Sequence, residues 1–168
     1  MSESKVTLNI SSDIGEHDVM LGGRWIKKWK MAAEQNVTLR FGAWRETVKI
    51  IPDSRFDGIR ISQTLARRMG LLQDTPIRIK YSSSTLALGP LIGVMITRDD
   101  PTRPDRPFRS ITPFCSELVD ACRKQGAYVY FFTPNDLKGQ ISHVQGWVYA
   151  NGWRKVTLPA PDVVNNRL

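Results

Sequence analysis

The hydrophobic pattern divides the chain into two stretches with different periodicities. Across residues 1–88, apolar and polar positions alternate over short runs, as in Val37–Phe41, Thr47–Ile51 and Ile77–Tyr81. Alternation with a period of two predicts β-strands that bury one face and expose the other. Because many such runs follow one another with turn residues between them, the pattern favours a small closed or partly closed β-barrel.

One short helix interrupts these strands. Ser62 can cap its first turn, and Gly70 suits the left-handed position that follows a helix end. The strand–helix–strand segment formed by residues 59–81 resembles the crossing unit of a double-psi β-barrel. That resemblance concerns the fold alone and assigns no function. Residues 6–10 are expected to form an edge strand of the barrel.

The second stretch, residues 89–168, has the pattern of an α/β unit. Leu91–Thr97 and Ala127–Thr133 are almost entirely apolar, which is typical of parallel strands that are covered on both faces. Between them the sequence predicts an amphipathic helix, with Thr112 as its cap, Pro113 in its first turn and Gly126 after its end. The predicted apolar stripe of this helix consists of Phe114, Cys115, Leu118, Val119 and Cys122.

The remaining residues complete the sheet. Residues 142–156 predict a β-hairpin around Asn151-Gly152, and Val163-Val164 predicts a third parallel strand. We therefore expect an α+β chain with a barrel-like domain at residues 1–88 and a three-layer α/β domain with a short parallel sheet at residues 89–168. An unpaired sheet edge near Val164 would favour a homo-oligomer.

Composition is that of a soluble globular protein, with 41% hydrophobic and 24% charged residues among 168. No run approaches the roughly 18 apolar residues of a membrane span, and the first residues lack the apolar core of a signal peptide. We therefore expect no membrane association and an intracellular, cytoplasmic location. Cys115 and Cys122 lie two helical turns apart, too far for a disulfide, and are expected to be structural thiols.

The net charge of +8 and the isoelectric point near 9.8 raise the question of nucleic-acid binding. Only Arg24–Lys30 combines basic residues with aromatics, namely Trp25 and Trp29. Tryptophans in such a run more often close a small barrel while the lysines stay solvated. No zinc-finger spacing, helix-turn-helix or RNA-recognition motif accompanies the run, so a basic nucleic-acid-binding module remains an alternative that we do not favour.

No catalytic, cofactor-binding or metal-binding set of residues emerges from the sequence. His17 and His143 do not accompany a Gly-x-Ser-x-Gly nucleophile elbow. Residues 89–93 contain two glycines but lack the lysine and the third glycine of a phosphate-binding loop, and we interpret them as a bend between barrel and sheet. Asp99 and Asp100 are interpreted as solvated turn residues.

The candidate binding residues follow the two predicted parallel strands. Ligands of open parallel sheets bind beyond the carboxyl ends of the strands, and anions are favoured at helix amino ends. A carboxylate or phosphate pocket is therefore one hypothesis, and a solvated charged loop is the alternative that we favour. The residues concerned are Arg103, Arg106 and Arg109 after the first strand, and Thr133 and Asn135 after the second.

Several short motifs occur in a fixed order within the second stretch. They are Gly89–Val94, Pro107-Phe108, Val129–Pro134, Gly146-Trp147, Gly152-Trp153, Leu158–Val164 and Asn166-Arg167. In order and spacing they resemble the amino-terminal portion of the YheC/YheD family, ATP-grasp-type proteins described as endospore-coat-associated. Asn165 departs from that pattern, because the family usually has a tyrosine at this position.

The resemblance implies that residues 89–168 form a pre-ATP-grasp-like domain. In ATP-grasp enzymes the lobes that hold ATP and Mg²⁺ follow such a domain, and we expect none of that core within these 168 residues. The resulting prediction is a non-catalytic binding or structural protein without a cofactor of its own. Its expected partners are a catalytic ATP-grasp module or spore-coat proteins. The alternative is the substrate-binding part of an ATP- and Mg-dependent carboxylate–amine ligase.

Overall fold

A closed barrel forms the first part of the protein in the computed structural model, which describes residues 4–137 and 142–168. Its strands follow the order β1-β5-β2-β4-β3-β7-β6, and β6 pairs with β1 to close the ring. Both parallel and antiparallel pairs occur, and the predicted small barrel is confirmed. The strands are β1 (Lys5–Ser11), β2 (Asp18–Gly22), β3 (Asn36–Phe41), β4 (Trp44–Asp53), β5 (Ile59–Ser62), β6 (Thr75–Ser82) and β7 (Thr85–Gly89).

Strand β1 is not at an edge, and the expectation for residues 6–10 was wrong. It pairs in parallel with β5 on one side and antiparallel with β6 on the other. A local alternating pattern shows that a strand has one buried face, but closure of a barrel depends on partners that are distant in sequence. The assignment to the double-psi type remains a prediction.

Two short helices accompany the barrel, α1 (Gly23–Lys28) and α2 (Gln63–Met69). The hydroxyl of Ser62 accepts a hydrogen bond from the Leu65 amide at 3.1 Å, and Gly70 has φ +73° after the last turn. Both ends of α2 therefore agree with the sequence prediction, because each is specified by a local residue type.

The second part is a five-stranded sheet in the order β11-β10-β9-β8-β12. Strand β8 is parallel to both β9 and β12, which confirms the third parallel strand. Strands β10 and β11 form the predicted hairpin, with positive φ at Asn151 and Gly152 in its turn. The strands are β8 (Leu91–Met95), β9 (Tyr128–Phe132), β10 (His143–Tyr149), β11 (Trp153–Pro159) and β12 (Val163–Asn166).

Helix α3 (Thr112–Gln125) connects β8 to β9 and differs from the prediction in two details. Thr112 lies within the helix, where its hydroxyl accepts a hydrogen bond from the Phe108 amide at 3.1 Å, so it is not the cap. Phe114 is 41% exposed, with the Arg167 guanidinium 5.0 Å from its ring centre. A 3-10 turn at Arg109–Ile111 precedes the helix, and Phe108 before that turn occupies the core.

The sheet lies between the barrel and α3, which gives three layers. Tyr128, Tyr130 and Phe132 pack on the core of the barrel, whereas Val129 and Phe131 pack with α3 and Phe108 on the other face. Alternate residues of β9 therefore serve two layers, which explains why nearly every position of this strand is apolar. Barrel and sheet share one hydrophobic cluster, and the division into two domains at residue 88 remains a prediction.

Polar contacts also join the barrel to the sheet. The Ala43 amide donates to the Ala160 carbonyl at 2.9 Å, and the Arg78 amide donates to the Gly126 carbonyl at 2.9 Å. Gly42 has φ +56°, and a Cβ at this position would clash with the Ala160 carbonyl oxygen. The turn between β3 and β4 thus requires a glycine because the sheet segment approaches its backbone closely.

Candidate functional site

The candidate site lies beyond the carboxyl ends of β8 and β9. These strands are parallel and in register from Leu91 opposite Tyr128 to Met95 opposite Phe132, so the loops that follow them emerge at the same edge. The Ile96 amide donates to the Phe132 carbonyl at 2.8 Å and extends the pairing toward the loops. The sequence placed its candidate binding residues at this edge for this reason.

The loop after β8 brings together the three arginines that the sequence analysis named as candidate binding residues. Its ends are joined by a hydrogen bond of 2.7 Å from the Asp100 amide to the Pro107 carbonyl. Arg103, Arg106 and Arg109 line a surface depression of about 480 Å³ together with Asp100 and Ser110, which we call the arginine depression. The loop therefore concentrates positive charge immediately before α3.

Two of these arginines have carboxylate partners. Arg103 lies 3.5 Å from Asp105, and Arg109 lies 3.6 Å from Asp100, with the side chains of the first pair well exposed. Hydrogen bonding by the Thr102 hydroxyl is the main cause that lowers the pKa of Asp100, so this carboxylate stays ionised beside the arginines. Exposed pairs of this kind contribute little to stability and can exchange their partner for a ligand.

Thr133 and Asn135 do not line the arginine depression. Thr133 is buried, and its amide and hydroxyl donate to one oxygen of Asp136 at 2.8 and 3.0 Å. Asn135 is exposed on the short 3-10 helix Pro134–Leu137. The structure thus brings the arginines together and places the two residues after β9 elsewhere along the edge, and a ligand-binding role for any of the five remains a prediction.

A group of paired charges at the same edge was missed in the sequence. Lys155 lies 2.9 Å from Asp99 and 2.9 Å from Asp136, and the Trp147 indole donates to Asp99 at 2.7 Å. With Thr133 donating to Asp136, these five residues form what we call the strand-end network. The interpretation of Asp99 as a solvated turn residue was wrong, because its side chain is only 14% exposed.

Asp99 and Lys155 of this network are held in their charged forms. Partial burial opposes ionisation of Asp99, but hydrogen bonds from Trp147 and Lys155 outweigh it, and the pKa of Asp99 lies below its usual value. For Lys155, burial lowers the pKa, and contacts with Asp136 and Asp99 raise it above its usual value. A sequence signal existed, since Trp147 and Lys155 are opposite each other in the predicted hairpin, but nothing local pointed to Asp99.

The thiols agree with a structural role. Burial raises the pKa of Cys115 to about 12, and it also raises the pKa of Cys122. A thiol that stays protonated is a poor nucleophile and a poor metal ligand. Among residues 4–137 and 142–168, no group of three His, Cys, Asp or Glu side chains could hold a metal ion.

The aromatic and basic run near α1 is arranged as the sequence predicted. Trp25 is buried with its indole donating to the Asp57 carbonyl at 3.2 Å, and Trp29 packs on it at a ring-centre distance of 5.3 Å. Lys27 and Lys30 are exposed. The tryptophans therefore belong to the barrel core and its margin, while the charged ends of the lysines remain in water.

The geometry thus defines a class of protein, a closed mixed β-barrel joined through a shared core to a small α/β sheet with a basic loop at its strand ends. No model of a known protein family matches the chain. The chain is similar to the endospore coat-associated protein YheD of Bacillus subtilis (strain 168), with 29% identity over 111 residues. This match confirms the resemblance to YheC/YheD proteins.

The similarity to YheD covers 66% of this chain and 24% of YheD, so the aligned region spans about a quarter of that relative. The name of the relative places that protein in association with the endospore coat. In the described residues, no helix has the length and apolar character needed to cross a bilayer.

Proposed function

We propose that these 168 residues act by binding, without catalysis, as a YheD-like module associated with spores. The observation that carries this proposal is the strand-end network. α/β enzymes hold their reactants at this edge of the sheet. Here Lys155 forms ion pairs with both Asp99 and Asp136, each at 2.9 Å. The one lysine of this group is shared by both carboxylates, which favours a stabilising role for the network over a reacting one.

The surroundings of the two histidines also favour a role in binding over catalysis. His17 pairs with Glu46 at 2.9 Å on the barrel surface. His143 lies 2.9 Å from the hydroxyl of the adjacent Ser142, and both side chains are exposed. A nucleophilic serine needs a histidine that is oriented by a third group, and no described carboxylate contacts His143. Binding therefore fits these surfaces better than acyl transfer.

The exposed edge strand β12 supports a protein partner. Among the described strands it pairs with β8 alone, and Val163 and Val164 are 53% and 50% exposed. An open edge with exposed valines can accept another strand. The partner in this proposal is a spore-coat protein, a catalytic ATP-grasp module or a second copy of the chain.

The test of the spore association is sedimentation of the purified chain with Bacillus subtilis spores. We expect retention on intact spores and release when the coat proteins have been extracted. The control is an unrelated globular protein with a similar isoelectric point near 9.8, because a basic chain can adsorb to any acidic surface. Equal retention of the control, or equal retention on extracted spores, would contradict the proposal.

The test of the absence of catalysis is incubation of the chain with ATP, Mg²⁺, amino acids and small carboxylic acids. We expect no phosphate release above that of a heat-unfolded sample. Phosphate release that follows the folded fraction through a urea titration would overturn this part of the proposal, since it would assign the activity to the native protein.

A second candidate function is the substrate-binding part of an ATP- and Mg-dependent carboxylate–amine ligase. The observation that favours it is the arginine depression, where three guanidinium groups surround one space before α3. Guanidinium groups bind carboxylates and phosphates through paired hydrogen bonds. Calorimetric titration with citrate and with ATP-Mg²⁺ tests this function. Binding that is lost in Arg106→Ala would support it, and the absence of heat for both ligands would count against it.

A further inference from the structure

A second cavity, which shares no lining residue with the arginine depression, lies at the junction of barrel and sheet. It has a volume of about 630 Å³, which is within the range of small-molecule sites. Strands β6 and β7 form one part, and Lys28 at the end of α1 and Trp29 directly after it form another. Pro90 before β8 and Asp162 before β12 complete the lining on the side of the sheet. We call this cavity the junction groove.

Small residues form the floor of the junction groove. In the paired strands, Ala87 of β7 lies between Lys80 of β6 and Arg40 of β3, and Gly89 lies opposite Arg78. Long basic side chains therefore stand on both sides of residues that have little or no side chain. This arrangement leaves space over β7 that cationic groups border from two strands.

The charges of the junction groove are not balanced. Among the residues that the structure describes, four basic side chains line it, Lys28, Arg40, Arg78 and Lys80, against one carboxylate, that of Asp162. Asp162 accepts from Arg40 at 3.2 Å and from the Leu91 amide at 2.8 Å, so it serves the junction of the two parts. Arg78 donates to the neutral Gln125 carbonyl, and Lys80 has no carboxylate within ion-pair distance in the described parts of the chain.

Aromatic rings border the same cavity. Trp29 and Tyr81 are half-buried and have ring centres 5.8 Å apart, and the Tyr81 hydroxyl accepts a hydrogen bond from Gln35 at 3.0 Å. A rigid aromatic pair of this kind offers an apolar surface to a ring or an aliphatic group of a ligand. Surplus positive charge and an aromatic border therefore occur in one space.

We propose that the junction groove binds a small organic polyanion, in which two or more phosphate or carboxylate groups are attached to a ring or another apolar group. The anionic groups contact Lys80, Arg78 and Arg40, and the apolar part packs on Trp29 and Tyr81. The volume favours a small molecule over a strand of nucleic acid or a folded partner. This inference uses none of the residues on which the proposed function depends.

Calorimetric titration of the whole chain without Mg²⁺ tests the inference with three probes: ADP, phthalate and inorganic pyrophosphate. ADP and phthalate carry a ring with phosphates or carboxylates, and pyrophosphate carries phosphates alone. We expect ADP to bind at least about threefold more tightly than pyrophosphate, because ring packing adds to the charge interaction. Comparison of ADP with phthalate distinguishes phosphate from carboxylate ligands.

Lys80→Glu and Lys49→Glu form a matched pair of variants. Both lysines are exposed on barrel strands, and each change alters the net charge equally, but only Lys80 lines the junction groove. We expect about a tenfold weaker Kd for the tightest probe in Lys80→Glu and less than about a twofold change in Lys49→Glu at an ionic strength of about 0.15 M. Thermal unfolding of both variants checks that they are folded.

Trp29→Leu tests the packing of the apolar part of the ligand separately from the binding of its anionic groups. We expect it to remove the preference for ADP over pyrophosphate and to leave pyrophosphate binding within about twofold. Equal weakening in Lys80→Glu and Lys49→Glu would indicate a general charge effect and overturn the inference. So would tighter binding of an oligonucleotide or an acidic peptide than of every small probe, or no binding of any probe at millimolar concentration.

Discussion

The strand-end network and the junction groove differ in the balance of their charged side chains. In the network, one lysine lies between two carboxylates, and all three side chains are largely buried. In the groove, basic side chains outnumber carboxylates and border an open space. Paired charges are typical of a stabilised edge, whereas the surplus of basic side chains beside a cavity is the feature on which we base the proposed anion site.

We expect the largest loss of stability from a substitution that removes the central lysine of the strand-end network. Lys155→Met leaves Asp99 and Asp136 as neighbouring, partly buried carboxylates without their shared cation, and we expect the free energy of unfolding to fall by about 3 kcal/mol. Urea denaturation measures this change. Lys155→Arg retains the charge and is the control, with an expected loss below about 1 kcal/mol. A small effect of Lys155→Met would mean that these charges are available for chemistry and would remove the contrast with the groove.

The next effect tests the close contact between the barrel and the segment that joins β11 to β12. In Gly42→Ala the new methyl group would meet the Ala160 carbonyl, and we expect a loss of about 2 kcal/mol in the free energy of unfolding. Gly23→Ala is the control, since a Cβ there meets nothing within 4 Å. If both variants are equally stable in urea, the approach of Ala160 to the barrel does not hold the junction in place.

The pH dependence of the free energy of unfolding tests whether the charges of the strand-end network stabilise the fold. Because the folded pKa of Asp99 lies below its ordinary value of 3.8, its contribution is present above that value and is lost as the pH falls through the folded pKa. Lys155, with a folded pKa above 10.5, contributes at lower pH and loses its contribution as the pH rises through that folded pKa. The window of full stabilisation therefore lies between these limits.

The measurement compares urea denaturation of the native chain and Lys155→Met between about pH 2.5 and pH 7. We expect the difference in the free energy of unfolding to be constant near neutrality and to shrink by about 1 kcal/mol in acid. A difference that grows as the pH falls below 4 would show that the charges of Asp99 and Lys155 do not stabilise each other.

The smallest expected effect concerns the arginine depression. The Arg106 guanidinium contacts only the Arg109 carbonyl, at 3.4 Å, among its described hydrogen bonds. Arg106→Ala should therefore change the free energy of unfolding by less than about 0.5 kcal/mol in urea. Arg60→Ala is the contrasting variant, because Arg60 pairs at 3.0 Å with the buried Asp53, and a loss of more than about 1 kcal/mol is expected there. If the two losses are similar, the depression is part of the structural framework.

Local signals predicted much of the fold. Ser62 and Gly70 bounded a helix, Asn151-Gly152 set a hairpin, and apolar runs marked β8 and β9, because each depends on neighbours in sequence. The same reasoning failed where the partner was distant. Residues 6–10 belong to a strand of the barrel wall that pairs on both sides with strands distant in sequence. Phe108 packs in the core, whereas Phe114, which the helical pattern had assigned to the apolar stripe, is exposed.

The same distinction between local and distant contacts applies to the candidate site. The sequence placed Arg103, Arg106 and Arg109 on a single loop between a strand and a helix, with a binding pocket as one hypothesis and a solvated charged loop as the favoured alternative. It missed the pairing of Asp99 with Lys155, which joins residues 56 positions apart, and the junction groove, which needs Lys80, Arg40 and Asp162 in one place. Those contacts depend on barrel closure and on docking of the sheet.

By itself the sequence determined the types of element, their order and the resemblance to YheC/YheD proteins, because periodicity, capping residues and short motifs are properties of neighbouring residues. Only the tertiary structure decided which charges are satisfied and which remain in surplus. The strength of a charge interaction depends on distance and on burial, and both are set by residues that the chain brings together from far apart.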